Sequence, residues 1–203
     1  MGPKPTGSRV RNRNWHSHAK NCRYDVSMKI ALCIVGGLVV LLVLAAAVLY
    51  LAGSRMPREH RSVVSIILKA GRTAVWTAIT DYAAMPAWWP AVKAVRTENL
   101  SDGTELTWNK DGHGKEIPFR TGESRMNEKL VRLIAQDDLP FGGTWTFELT
   151  DAPGGGTRLT LTEDGFINPA IFRAVAAWFI GLDATQKDFI ANLEKHLAAK
   201  TAP

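Results

Sequence analysis

Hydrophobic positions follow three different rules along this chain, and each rule predicts a different element. Residues 30–53 (IALCIVGGLVVLLVLAAAVLYLAG) are continuously apolar, with no charge between Ile30 and Ser54. About 20 such residues cross a bilayer core as a helix, so the run predicts a transmembrane helix with some tilt. A secretory leader has a shorter apolar core, about 7–15 residues, followed by small residues. Ala52-Gly53-Ser54 would pass as a cleavage site, but the run before it is too long, and an uncleaved anchor is expected.

From residue 62 the rule becomes short runs divided by turn residues. Val63-Val64-Ser65-Ile66-Ile67-Leu68 predicts a strand. Gly71-Arg72-Thr73 leads into a helix over Ala74–Ile79, with Thr73 as its N-cap and Val75, Trp76 and Ile79 facing inward. Pro86 and Pro90 frame a short second helical piece bearing Trp88 and Trp89. Further strands are expected at Ala91–Glu98, Thr104–Asn109, Lys115–Arg125, Lys129–Gln136, Phe141–Thr150 and Thr157–Phe166. Their spacing marks a meandering antiparallel sheet. In the last two strands Trp145, Phe147 and Leu149 share one face, as do Leu159, Leu161 and Glu163.

The third rule is a helical one, over Asn168–Lys200. Phe172, Val175, Phe179, Leu182, Phe189, Leu193 and Leu197 recur in steps of three, four and seven, and Ile171, Trp178 and Ile190 widen the stripe. Asn168-Pro169 supplies a cap and a first turn. A single helix of about eight turns is expected, covering the apolar face of the sheet. Gly181 costs a helix interior about 1 kcal/mol relative to alanine, so it marks a bend or a close approach over whatever lies beneath. The fold class is therefore α+β: seven antiparallel strands under a long C-terminal helix, preceded by one membrane helix.

Charge sharpens the division into segments. The chain of 203 residues carries a net charge of +6. Seven of its Lys and Arg fall in residues 1–29, where Asp25 is the one acid, so the remaining 18 basic and 18 acidic residues balance. The basic character thus belongs to a tail, which its Arg, Asn, Ser, Gly and Pro content predicts to be disordered. A nucleic-acid-binding domain would carry a basic face of its own, so no nucleic acid is expected as a partner. The segments are a tail over 1–29, the membrane helix over 30–53, a polar linker over 54–61 and a domain over 62–200. Six Lys or Arg flank the apolar run on its N-terminal side and four on its C-terminal side, a bias that places the tail in the cytoplasm and the domain outside it. Cys22 and Cys33 lie in the tail and in the apolar run, so no disulfide is expected.

Two stretches resemble a known family. VWTAITDYAAMPAWWP (Val75 to Pro90) and GGTWTFELTDAPGGGTRLTLTEDGFINP (Gly142 to Pro169) are similar to signatures of the START-like superfamily, also described as polyketide cyclase/dehydrase-like, Bet v 1-like or SRPBCC proteins. The resemblance covers about residues 62–199. It implies the helix-grip fold, in which a curved seven-stranded sheet wraps the closing helix around an apolar pocket. The preceding segments match a habit of some bacterial members, which carry one N-terminal membrane helix, so a bacterial plasma membrane is the implied location. The superfamily includes carriers, cyclases, hydrolases and receptors, so fold alone does not fix activity.

Candidate chemistry is sparse. Six of the seven tryptophans follow the membrane segment. Trp88, Trp108 and Trp145, with Phe147, Leu161, Phe172 and Phe179, are candidates for the lining of a pocket suited to lipids or polycyclic molecules; core packing is the competing role. Glu163 falls on the inward register, where an apolar setting would raise its pKa and let it exchange protons. Pairing with a basic residue such as Arg120, or a place at the open end, is the favoured explanation. His16, His18 and Cys22 sit in the tail without a fourth ligand, and no metal site or cofactor is expected. His196 lies near a helix terminus, which favours a cation. Neither HExxH, CxxC nor a Walker loop occurs.

Three functions remain open from these residues. The first is a membrane-anchored domain that binds or transfers a hydrophobic small molecule or lipid. The second is a cyclase or dehydratase acting on an apolar substrate through Glu163. The third is a ligand-free module that binds a partner at the membrane through an exposed apolar patch.

Overall fold

The computed structural model describes residue 2 and residues 15–201, with side chains described from residue 28 to residue 200 and at residue 2. Of the basic tail expected over 1–29, residue 1 and residues 3–14 lie outside the described residues. From there the backbone is already helical: α1 runs Trp15–Arg55. The sequence between Trp15 and Val35 has no Pro or Gly to stop a helix. Within α1, Met28–Arg55 is long and apolar enough to cross a membrane. Contacts divide the chain into two units, one up to Val48 and one from Leu49 onward.

In the second unit β1 (Glu59–Leu68) starts earlier than residue 62, so the expected linker over 54–61 contracts to the three residues between Arg55 and Glu59. The cause is its pairing: Glu59 is already opposite Phe166, and the register holds to Leu68 opposite Thr157. After β1 come α2 (Arg72–Thr80), a short 3₁₀ turn (Tyr82–Ala84) and α3 (Met85–Trp88). Gly71, not Thr73, occupies the N-cap of α2. The Thr73 hydroxyl instead accepts a hydrogen bond from Asn127 Nδ2.

The remaining strands are β2 (Ala94–Asn99), β3 (Glu105–Lys110), β4 (Glu116–Arg125), β5 (Lys129–Ile134), β6 (Phe141–Asp151) and β7 (Thr157–Ile167). They make one seven-stranded sheet in the order β1-β7-β6-β5-β4-β3-β2, each neighbour antiparallel. Trp145 lies opposite Glu163, Phe147 opposite Leu161 and Leu149 opposite Leu159, so the inward alternation expected from sequence is the one that forms. With the C-terminal helix across this face, the architecture is a helix-grip α+β fold.

The C-terminal segment is not one helix. It comprises α4 (Ala170–Val175), a π turn (Ala176–Ile180), a break at Gly181 and α5 (Ala184–Thr201). Gly181 adopts φ 92° and ψ 133°, a conformation that belongs to glycine. Asn168 does not cap α4, whose N-cap is Pro169 and lacks a side-chain hydrogen bond. On α5, Phe189, Ile190, Leu193 and Leu197 are buried against Leu159, Leu161, Val75 and Trp88, forming the core. Gln186 is buried with them and fully satisfied: its Oε1 accepts from Ser62 Oγ at 2.6 Å, and its Nε2 donates to the Leu161 carbonyl at 3.0 Å. That bond stitches α5 to β1 and β7.

Candidate functional site

The break at Gly181 leaves part of the sheet without a tightly packed cover. A cavity of about 580 Å³ lies there, between the sheet and the segment Ala176–Thr185. Its floor is an aromatic cluster. Phe189 of α5 sits 4.9 Å from Trp89, 5.7 Å from Trp145 and 5.6 Å from Phe147, ring centre to ring centre. The Trp89 indole is fixed by donating to Asp188 Oδ2 at 2.8 Å. Ile117, Phe119 and Ile134 form one wall, while Ala176, Ile180 and Leu182 form the roof.

Polar groups interrupt this lining at a few points. Glu163 faces inward from β7, with His60 Nε2 of β1 at 3.8 Å from its Oε1. Its Oε2 is buried and has no hydrogen-bond partner. Burial pushes the Glu163 carboxyl above its ordinary pKa, against the smaller pull of His60 and the Trp145 indole. The expected pairing with Arg120 does not form, because Arg120 lies exposed.

Arg132 faces inward from β5 and is only 8% exposed. Its Nη2 donates to Thr107 Oγ1, and its Nη1 donates to Thr121 Oγ1 at 3.5 Å. The guanidinium lies 3.9 Å from the centre of the Tyr82 ring and 5.7 Å from that of Phe119. Burial pulls its pKa below the ordinary value, with the Tyr82 hydroxyl and the more distant Glu105 opposing. Asn109 contributes a buried Oδ1 without a partner.

Of the residues singled out from sequence, the structure brings Trp145, Phe147 and Glu163 together on the cavity wall. It sends the others elsewhere. Trp88 is buried in the packed core against Phe189 and His196, and Leu161 is buried there too. Trp108 lies on the other side of β3 from Thr107 and Asn109, under the Arg96 guanidinium at 4.3 Å and donating to Glu98 at 2.8 Å. Phe172 and Phe179, expected as a cavity roof, are 59% and 75% exposed. The kink turns their face outward, and Ala176, Ile180 and Leu182 take the roof positions. Burial, then Lys200, lower the pKa of His196, against the favouring of its cation expected from the helix terminus.

Sequence reading missed Arg132, Trp89, His60 and Tyr82. Arg132 had a usable signal, since the period of β5 places it between Leu130 and Ile134 on the inward face. His60 falls in the expected linker because its strand is pinned by β7, not by its own neighbours.

A model of the family described as polyketide cyclase / dehydrase and lipid transport matches residues 59–198. The chain belongs to that family. None of the curated proteins matches it in sequence. Solved structures do match in fold. A START superfamily protein from Mycobacterium smegmatis is 17% identical with a TM-score of 0.52, over 70% of this chain and 99% of that one. The Zhui aromatase/cyclase from a Streptomyces species is 9% identical with a TM-score of 0.57, over 71% and 96%. The di-domain aromatase/cyclase BexL, from the BE-7585A biosynthetic pathway, is 12% identical with a TM-score of 0.58, over 75% of this chain and 53% of that one. At these identities the likeness speaks for the fold. Together with the family match it suggests a domain of the hydrophobic-ligand-binding type.

Proposed function

We propose that this protein is a membrane-anchored carrier that binds, or passes on, a hydrophobic small molecule or lipid in the cavity under the Gly181 break. The observation that carries this reading is the cavity itself, about 580 Å³ with a mainly aromatic and aliphatic lining. A volume and lining of this kind suit a drug-sized apolar molecule. The family description supports it by naming lipid transport beside cyclase chemistry.

The membrane half of the reading draws on two features of the second unit. Gly53, near the end of the apolar helix, touches α4 so closely that a β-carbon there would lie 1.8 Å from the Ala170 carbonyl oxygen. Arg173 Nε donates to the Gly53 carbonyl at 2.9 Å. The segment carrying exposed Phe172, Trp178, Phe179 and Ile180 is therefore joined to the point where the apolar run ends. A lipid surface at that point would cover those side chains. In this reading the domain works beside the membrane.

A second reading is a cyclase or dehydratase of the kind found in the aromatase/cyclase relatives. Glu163 and His60 favour it, since a carboxyl raised in pKa beside an imidazole could move a proton within an apolar pocket. The test starts from the full-length chain purified in mild detergent, with bound molecules extracted and identified by mass spectrometry. A stoichiometric apolar molecule, lost when Ala176→Trp fills the cavity, supports the carrier. A cavity that stays empty when the chain is offered apolar ligands ends it. Conversion of a bound substrate that vanishes in Glu163→Gln selects the enzyme instead.

A further inference from the structure

We propose that the molecule held in this cavity is an acidic amphipath, with a carboxylate or phosphate end on Arg132 and an apolar body against Trp145, Phe147 and Phe189. The inference rests on the cavity reading above and names the chemical class of its ligand.

The guanidinium is the reason. Arginine remains charged at any working pH, and a buried charge is normally neutralised by a partner. Among the described residues Arg132 has no carboxylate partner: its neighbours are the hydroxyls of Thr107, Thr121 and Tyr82 and the rings of Tyr82 and Phe119. Glu105 is exposed and forms no ion pair with it, although its charge acts on the guanidinium. Hydroxyls and ring faces orient a guanidinium and relieve part of its desolvation, but they leave its net charge uncompensated. The side chain is buried and lines the cavity, so a ligand is placed to supply the missing anion. A guanidinium fork accepts a carboxylate or phosphate through two parallel hydrogen bonds, which also sets the ligand's direction.

The rest of the row fits. Arg132, Trp145 and Glu163 lie opposite one another on three successive strands. Two strand spacings of about 4.8 Å separate the backbone of Arg132 from that of Glu163, with the Trp145 indole between them. Glu163 stands at the far end of this row, with its pKa raised by burial and with His60 Nε2 at 3.8 Å from its Oε1. Its orphaned Oε2 and the orphaned Oδ1 of Asn109 are free for a hydroxyl on the ligand's body.

The test uses the full-length chain in nanodiscs and three probes of one skeleton: naphthalene-2-acetate, its methyl ester and naphthyl phosphate. Binding is followed by calorimetry, with empty nanodiscs as the blank. The wild type is expected to bind the acetate at least tenfold more tightly than the ester. Arg132→Gln, which keeps hydrogen-bonding capacity but loses the charge, should bring the two within about twofold, while Arg132→Lys keeps part of the preference. A phosphate probe bound more tightly than the acetate would support the inference and assign the anion to a phosphate head. Equal binding of acid and ester by the wild type overturns the inference and leaves the apolar-carrier reading standing. An acid preference that survives in folded Arg132→Gln overturns it as well. Failure of every probe to bind removes the carrier reading and this inference together. The wild-type ratio decides even if Arg132→Gln does not fold.

Discussion

The two halves of the closing segment meet the same sheet and do opposite things. From Ala184 onward, α5 presses Phe189, Ile190, Leu193 and Leu197 into the core, and only its start, at Thr185 and Phe189, reaches the cavity. From Ala170 to Ile180, α4 and its π turn present Phe172, Trp178 and Phe179 outward and leave a cavity below. Both halves are apolar and both have helical periodicity, so composition does not separate them. What separates them is Gly181, which ends one helix axis and starts another. Packing density follows from geometry here: a straight helix would have filled the space with the side chains that now face outward.

The contrast can be tested most strongly at its packed end. Leu193→Ala removes a fully buried side chain and should cost about 2–5 kcal/mol, visible as a lowered denaturant midpoint. Ile180→Ala, above the cavity, should change the midpoint little; equal losses at the two sites would mean that both ends are packed alike. The break itself comes next. Gly181→Val places a β-branched residue at φ 92°, a strain of about 1–3 kcal/mol. Unchanged stability there would show that the segment can straighten.

Arg132→Met should act in the other direction. Replacing a buried charge that lacks a carboxylate by an apolar chain of similar length removes a desolvation cost, and a gain of about 1 kcal/mol or more is expected. A loss of stability would show that the bonds to Thr107 and Thr121 outweigh that cost. This is the stability–function opposition expected of a binding residue.

Glu163 gives a smaller, pH-dependent effect with a definite sign. Its folded pKa is raised, so the folded state holds the proton more tightly than the unfolded one. Its contribution is fully present below the ordinary carboxyl pKa and is lost as pH rises through the raised folded value. The difference in unfolding free energy between wild type and Glu163→Gln should therefore fall with rising pH across that window. A difference that is flat, or that grows with pH, would mean the carboxyl is solvated or paired as an anion.

The smallest stability effect belongs to the outward face. Phe179→Ser should lie within about 0.5 kcal/mol of wild type, because the ring is 75% exposed. Its consequence should instead appear at the bilayer. With Cys22 and Cys33 replaced by Ser, a fluorophore on Phe179→Cys in nanodiscs should be quenched by doxyl-labelled lipid, and one on exposed Met126→Cys should not. Equal quenching at both sites would break the assignment of that face to lipid.

Much of the molecule was legible in the sequence because local rules decided it. Alternation in β6 and β7 set the inward faces of Trp145, Phe147, Leu161 and Glu163, since a one-residue slip would have exposed all of them. The apolar run of α1 and the turn residues between strands were equally direct. Sequence also pointed to Gly181, through the cost of glycine in a helix, though it could not tell a bend from a break.

The rest was decided by tertiary structure, because it depends on partners distant in the chain. Glu59 and His60 became strand because β7 holds them there. Phe172 and Phe179 left the roof at the Gly181 break, and α4 is held in that position against Gly53, more than a hundred residues earlier, by Arg173 and Ala170. Arg132 became a buried cation without an anion because the residues around it, from β3, β4 and the turn at Tyr82, happen to be hydroxyls and rings. Periodicity says which way a side chain points; only the assembled sheet says what it meets there.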